Sequence, residues 1–452
     1  MPACAIEPTA ADGEAPEAPG ALQTPEVLQT PEVFAIREVA ALETPEALNA
    51  PEVSGVSGVS GVSGVSEAPG CSGAEPGTPP HADCVITADG AYAARLARAG
   101  DCWFPERWTL DGPEPYAVPL PGNQPEEPGT EVQPMADGRV LIRRPIDGRH
   151  AFSLLYPTGP GTGELPLGAV ECPDEGTRLR LLPPAPCGGR AYALAVGRST
   201  TALWLVAGGA FGPEHLAEIP GRCSGGVWLD RTGRMLALDR EVGGRTKAIV
   251  VDLERGGEMS ELLQISADSD DRLLLADPDS GLLLIGSDAP SPGDTRLGWG
   301  VLGSTLPVRF PESLHLPGHT LTPFAIQPGQ MLLPEGCAVG LRIDGPFGTW
   351  VGVWRPADRR LYQLAAPEGW LAGSGLWTAA GVLRLPYATA AEPCGVAPVP
   401  APIAAPPSPA PSEGMSPPEG LSAVEGSAPT RPPLALRPIP LQQAPLGSLV
   451  TK

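Results

Sequence analysis

Apolar residues in the middle of the chain come in short runs, most of them introduced by a turn glycine. Written from that glycine, the runs are Gly90-Ala-Tyr-Ala-Ala-Arg-Leu, Gly138-Arg-Val-Leu-Ile-Arg-Arg, Gly189-Arg-Ala-Tyr-Ala-Leu-Ala, Gly233-Arg-Met-Leu-Ala-Leu-Asp, Gly281-Leu-Leu-Leu-Ile-Gly, Gly329-Gln-Met-Leu-Leu-Pro and Gly381-Val-Leu-Arg-Leu-Pro. They recur every 44 to 52 residues or thereabouts, a spacing of roughly one supersecondary unit per repeat. Another strand-like or turn-forming stretch precedes each glycine, as in Val227-Trp-Leu-Asp-Arg-Thr-Gly233. Short runs bounded by Gly, Pro and Asp predict strands and exclude a helical bundle or coiled coil. Each unit therefore opens as a hairpin, with Asp-Gly or a relative in the positive-φ turn.

A third apolar or aromatic run follows within each of the first six units, at 103–110, 150–156, 201–206, 247–252, 296–301 and 349–354. Beyond a second turn lies a fourth, at 116–120, 165–170, 215–219, 262–265, 306–310 and 361–364. Four antiparallel strands repeated at this period predict an all-β fold, a single β-propeller of about seven four-stranded blades. Six blades is the alternative, if the unit opening at Gly381 merely completes the first blade. A stack of β-sandwiches is the rival architecture, but it does not require a constant period. The seventh unit offers two clear strands and a third at 394–399, so ring closure is expected to borrow a strand from elsewhere in the chain.

The turns Ala88-Asp89-Gly90, Ala136-Asp137-Gly138 and Leu229-Asp230-Arg-Thr-Gly233 resemble the blade openings of TolB-like and WD40-like propellers, where Asp-Gly links the inner two strands. The resemblance spans about 310 residues and implies the propeller fold. No blade carries the Gly-His and Trp-Asp pairs of strict WD40 repeats.

Aromatic residues mark the limits of the folded region. Phe34 is alone in residues 1–82, and none follows Tyr387. Three segments are expected: an acidic tail at 1–82, the propeller at 83–400 and a Pro-rich tail at 401–452. The first tail repeats Thr-Pro-Glu-Val at 24–27 and 30–33, Thr-Pro-Glu-Ala at 44–47, and then four copies of Ser-Gly-Val. Such repeats cannot bury enough surface to offset chain entropy, so disorder is expected in both tails. Within the first, Thr30 as cap, Pro31 at the first helical position and the spacing of Val33, Ile36, Val39 and Ala40 predict a short helix over 31–43 that forms on binding. In the second tail, 433–441 is more apolar than a spacer needs and is a candidate docking segment.

The formal net charge is −22, and a surface this acidic repels phosphate backbones and anionic lipid. Nucleic acid and membrane are therefore not expected as partners, and no run reaches the roughly 18 apolar residues of a membrane span. The start Met-Pro-Ala-Cys-Ala-Ile-Glu lacks a basic, apolar leader pattern, so a cytoplasmic location is expected. Nine cysteines without Cys-x-x-Cys point to free, mostly buried thiols rather than a disulfide framework or zinc.

Catalytic motifs are sparse. No Gly-x-Ser-x-Gly elbow occurs, and neither lysine sits in a phosphate loop. Gly298-Trp-Gly300-Val-Leu-Gly303 matches a dinucleotide fingerprint in spacing but leads into Ser-Thr-Leu-Pro, so strand glycines explain it better. His315 and His319 sit on a Pro-Gly loop with no third ligand spaced to join them, and the Asp268–Asp271 and Asp277–Gly281 stretches lack the glycine and glutamate of a calcium loop. No metal or cofactor is expected. The leading expectation is a non-enzymatic, monomeric scaffold that binds a protein partner. The alternative is a propeller hydrolase or lyase working through channel carboxylates, with or without a divalent metal. Asp83, Asp174, Glu175, Asp270 and Asp271 stand just before innermost strands, where such groups would have to lie.

Overall fold

Both faces of a blade strand are buried, and the blade-4 sequence shows why the runs look nearly continuous. In the strand Met235–Val242, Leu236 and Leu238 pack on one side with Ile249, Val251 and the blade-3 residues Leu203 and Leu205. Ala237 points to the other side and packs with Val250 and the blade-5 residues Leu273 and Ile285. A period-two alternation with apolar residues at both phases buries a sheet between two neighbours.

The computed structural model describes residues 84–402 apart from 128, 160, 173, 175, 330 and 331, together with the backbone of 37–38. Seven antiparallel sheets succeed one another along the chain and form a seven-bladed propeller. Blade 1 comprises Val85–Ile86, Tyr92–Ala99, Cys102–Thr109 and Tyr116–Pro119. Blade 2 comprises Glu131–Pro134, Val140–Ile146, Arg149–Pro157 and Thr162–Glu171; blade 3, Arg178–Leu181, Ala191–Val196, Thr200–Ala207 and Glu214–Pro220. Blade 4 is Arg222–Trp228, Met235–Val242, Arg245–Asp252 and Glu258–Leu263, and blade 5 is Asp271–Ala276, Leu282–Ser287 and Arg296–Val301. Blade 6 is Thr320–Ile326, Val339–Gly345, Gly348–Trp354 and Leu361–Leu364; blade 7, Leu376–Trp377, Val382–Tyr387 and Gly395–Pro400.

Seven apolar clusters hold the ring, one between each pair of adjacent blades. The last of them joins Cys84, Ala93, Trp108 and Leu110 of blade 1 to Leu371 and Cys394 of blade 7. First strands of consecutive blades approach one another, so the first strand of each blade is innermost. Because strands alternate in direction, the first-to-second turns lie on one face of the ring, and the second-to-third turns and blade connectors on the other.

Three expectations are corrected. Among the described residues no strand is borrowed to close the ring: blade 1 and blade 7 are each built from their own stretch of chain. The fourth strand expected at 306–310 is reduced to a bridge between Trp299 and Arg309, since Pro307 and Pro311 bracket the segment and cannot donate to a ladder. The helix expected over 31–43 does not extend through Arg37–Glu38, whose backbone pairs antiparallel with Leu361–Leu364 as a fifth, outer strand of blade 6. The rest of that segment, the remainder of residues 1–83 and the 433–441 stretch lie outside the described residues.

Gly90, Gly138, Gly233, Gly281 and Gly381 take positive φ between +72° and +80° in their turns. In blade 3 it is Gly188, not Gly189, that does so. Gly329 has no positive φ; its amide donates to Asp277 Oδ2 at 3.0 Å, tying the blade-6 turn to blade 5. Similar links lace other turns together: Ala136 N–H to the Gly188 carbonyl, Arg231 to Asp279, and Gln327 Nε2 to the Ala379 carbonyl.

Candidate functional site

Of the clefts on the face that carries the second-to-third turns and the blade connectors, two adjoin. The larger, about 870 Å³, lies over blade 2 and is lined by the 122–127 connector, the 144–150 turn and Asp174. The second, about 580 Å³, lies where inner strands of blades 1 to 4 meet; Val85, Val132, Leu181 and Gly225 contribute one wall segment from each. Glu127 and Thr130 line both, so the clefts adjoin.

Most charges on these walls are already paired. Arg144 donates to both oxygens of Glu126, at 2.8 and 2.7 Å, and to Glu164 at 2.6 Å. The hydrogen bonds it donates to Glu126 are the largest cause raising the pKa of this guanidinium. Arg143 is buried; its Nε donates to Glu131 at 3.0 Å, its Nη2 to the Gly129 carbonyl at 2.6 Å and its Nη1 to His150 Nδ1 at 2.9 Å. Arginine can only donate, so His150 Nδ1 accepts and the ring is neutral. Burial, and then the charge of Arg143, lower the pKa of that imidazole. Glu131 also accepts from the Leu181 amide at 2.8 Å, which joins blade 2 to blade 3.

Two groups are left open. Thr130 is 7% exposed and its Oγ1 has no hydrogen-bond partner. Arg180 donates from Nη2 to the Gly225 carbonyl at 2.9 Å and is in no ion pair among the described residues.

Next to Arg180, a bulge in Arg222–Trp228 brings Ser224 and Gly225 against Asp239. Asp239 is 4% exposed and accepts from the Leu273 amide at 2.9 Å, with Arg272 Nη1 at 3.9 Å. Burial raises its pKa to about 6, against the opposing effects of the Leu273 hydrogen bond and the Arg272 and Arg180 charges. A sequence signal for Asp239 exists: in Met235–Val242 it shares the phase of Ala237, a buried face. Arg180 carries no such signal within Arg-Leu-Arg-Leu, where it shares the phase of the exposed Arg178. Thr130 carries no such signal.

The carboxylates singled out from sequence are dispersed. Asp174 is exposed on the connector from blade 2 to blade 3, between the 870 Å³ cleft and one of about 620 Å³ over blade 3. Asp270 and Asp271 lie two connectors further round. Asp270 Oδ1 accepts from the Thr246 amide at 2.7 Å. Asp271 is fully buried and accepts from Lys247 Nζ at 2.7 Å, Ser287 Oγ at 2.6 Å, the Ile265 amide at 2.9 Å and Ser269 Oγ. Asp83 and Glu175 lie outside the described residues. Five of the described cysteines are buried, while Cys102 and Cys187 are exposed. Among the described residues no cluster of three His, Cys, Asp or Glu is placed to hold a metal ion, and no helix is long and apolar enough to cross a membrane.

No protein-family model matches this chain, and no curated protein does. Among solved structures it is similar to a putative TolB from Agrobacterium tumefaciens, with 15% identity and a TM-score of 0.35, covering 50% of this chain and 78% of that one. It is also similar to an oligogalacturonate lyase from Vibrio parahaemolyticus (12% identity, TM-score 0.46, 69% and 89% covered). A third is the β-propeller domain of the Trilobed protease from Pyrococcus furiosus, which has an open velcro topology (12%, 0.42, 70% and 93%). The three differ in what their names say they do, and a shared fold does not assign function.

Proposed function

We propose that this chain is a non-enzymatic interaction propeller that holds a protein partner on the face bearing the two adjoining clefts. The observation that supports this reading is the pair of adjoining open clefts, about 870 and 580 Å³, whose walls share Glu127 and Thr130 on one face of the ring. A rigid ring of packed blades presents such a surface without reorganising. The hydrolase or lyase reading is weaker, because Asp271 and Asp270 already accept hydrogen bonds from the fold and Asp174 lies on a different connector.

A photo-crosslinking residue at exposed Asn123, on the cleft rim, tests the proposal in lysate of cells that express the chain. A discrete partner is expected at Asn123 and not at Phe211, which is 98% exposed on the opposite face. Equal capture at both positions, or none, overturns the reading. Hydrolase activity that disappears in Asp174→Asn establishes the alternative instead.

A further inference from the structure

The outermost strand of a blade leaves a row of amide and carbonyl groups unpaired, and natural sheets blunt such edges with charge or proline so that no second chain pairs there. Most outer strands of this ring follow that rule. Tyr116–Pro119, Thr162–Glu171, Glu214–Pro220, Glu258–Leu263 and Gly395–Pro400 each carry a glutamate or a proline, and Arg296–Val301 carries Arg296 and the bridge to Arg309. Leu361–Leu364 of blade 6, Leu-Tyr-Gln-Leu, has neither charge nor proline. On this edge the backbone of Arg37–Glu38 is seated, Arg37 opposite Gln363 and Glu38 opposite Tyr362. Continuing that antiparallel register brings Ile36 opposite Leu364 and Val39 opposite Leu361. Both leucines are buried, Leu361 in the cluster between blades 5 and 6 and Leu364 in that between blades 6 and 7.

We propose that residues 33–40 of the same chain, Val-Phe-Ala-Ile-Arg-Glu-Val-Ala, occupy this edge as a full fifth strand of blade 6 and so shield it from pairing with any other chain. Val33, Phe34, Ile36 and Val39 suit a strand, and Phe34 is the only aromatic residue of 1–82. Charge favours the same occupant. Arg359 and Arg360 are exposed at the start of the edge, and residues 1–82 hold twelve Asp and Glu against Arg37. The tether is long enough: Glu38 and Cys84 are 46 positions apart, a flexible span of roughly 40 Å root-mean-square, and only blade 7 stands between blades 6 and 1. Such a tether holds the strand at an effective concentration of about millimolar, so at micromolar protein the chain's own segment outcompetes that of a second copy. The edge lies on the rim of the ring and the adjoining clefts on one face, so strand and partner do not compete for one surface.

Amide hydrogen exchange at 361–364 is the test, on the natural full chain and on a full-length variant whose residues 33–40 are replaced by an equal length of Gly and Ser. Amides alternate in direction along a strand, so some of those at 361–364 point outward and are covered only by an added strand. These are expected to exchange at least about tenfold faster in the replaced chain, while Gly395–Pro400, the outer strand of blade 7, exchanges alike in both. The double variant Arg37→Pro with Glu38→Pro withdraws two backbone donors from the added strand; it is expected to reproduce the loss of protection, and it decides the matter if the replaced chain does not fold. Light scattering at the same concentration is expected to give a monomer for the natural chain. Equal exchange at 361–364 in all three chains overturns the proposal. So does a natural dimer that Gly-Ser replacement dissociates, because the strand then comes from a second copy.

Discussion

Arg384 of blade 7 donates from Nη2 to the carbonyl oxygen of Leu110 in blade 1, at 2.6 Å. Ser374 Oγ donates to the Cys84 carbonyl across the same interface, also at 2.6 Å. These are the two ends of the ring, and among the described residues no strand is shared between them. The seam is held by side chains: these two hydrogen bonds and the cluster around Trp108, Leu110 and Leu371.

Replacing Arg384 by alanine should therefore cost about 2 kcal/mol, the value of a hydrogen bond from a charged donor to a part-buried acceptor. Thermal unfolding is the measurement, with a fall of several degrees expected. Arg98→Ala, which breaks an exposed pair with Asp101, should change stability by about 0.5 kcal/mol or less. If the two variants melt together, the seam does not depend on Arg384.

Asp239 should make stability depend on pH in mildly acidic solution. Its folded pKa of about 6 lies above the ordinary carboxylate value, mainly because of burial, so the folded state binds more protons than the unfolded state between about pH 4 and 6. Its contribution to stability is complete below that window and is lost as pH rises through it. The difference amounts to about 3 kcal/mol at most. Asp239→Asn keeps an acceptor for the Leu273 amide and should flatten the profile of denaturation midpoint against pH over that range.

Asp271 behaves in the opposite sense. Burial pushes its pKa up, but hydrogen bonds from Lys247, Ser287, the Ile265 amide and Ser269 together outweigh it and hold the carboxyl below its usual range. Its stabilisation is present above about pH 4 and disappears as pH falls through the lowered folded value. Asp271→Asn leaves Lys247 beside a neutral amide and should destabilise the ring by about 3 kcal/mol at neutral pH. Equal melting of variant and parent at pH 7 would refute this.

Adjacent glycines in blade 3 should respond differently. Gly188 has φ +66°, and an added Cβ would lie 2.4 Å from Ala136 Cβ, so Gly188→Ala should cost about 2 kcal/mol. At Gly189 the nearest atom to an added Cβ is 4.0 Å away, so Gly189→Ala should be neutral within about 0.5 kcal/mol. Urea midpoints of the two variants separate these outcomes.

The sequence by itself determined the architecture, because blade formation is local. A glycine able to take positive φ, followed by four or five apolar residues, makes a hairpin whatever lies elsewhere, and its recurrence at a constant period implies a ring of such sheets. The third strands expected at 201–206 and 296–301 lie within or coincide with Thr200–Ala207 and Arg296–Val301 for that reason. Where two local choices were nearly equal, tertiary packing decided. Gly188 and Gly189 are both able to turn, and the contact of Gly188 with Ala136 of the neighbouring blade selects one. The weak 306–310 run forms a single bridge because its prolines withhold donors. Only the closed ring decided the candidate site. Arg180 and Asp239 are 59 positions apart, and Glu131 and Leu181 are 50; they meet because neighbouring blades press inner strands together. No local pattern reports that Thr130 lacks a partner or that Asp271 has four kinds of donor. Hydrogen-bond satisfaction is a sum over neighbours distant in sequence, fixed when the seven sheets close on one another.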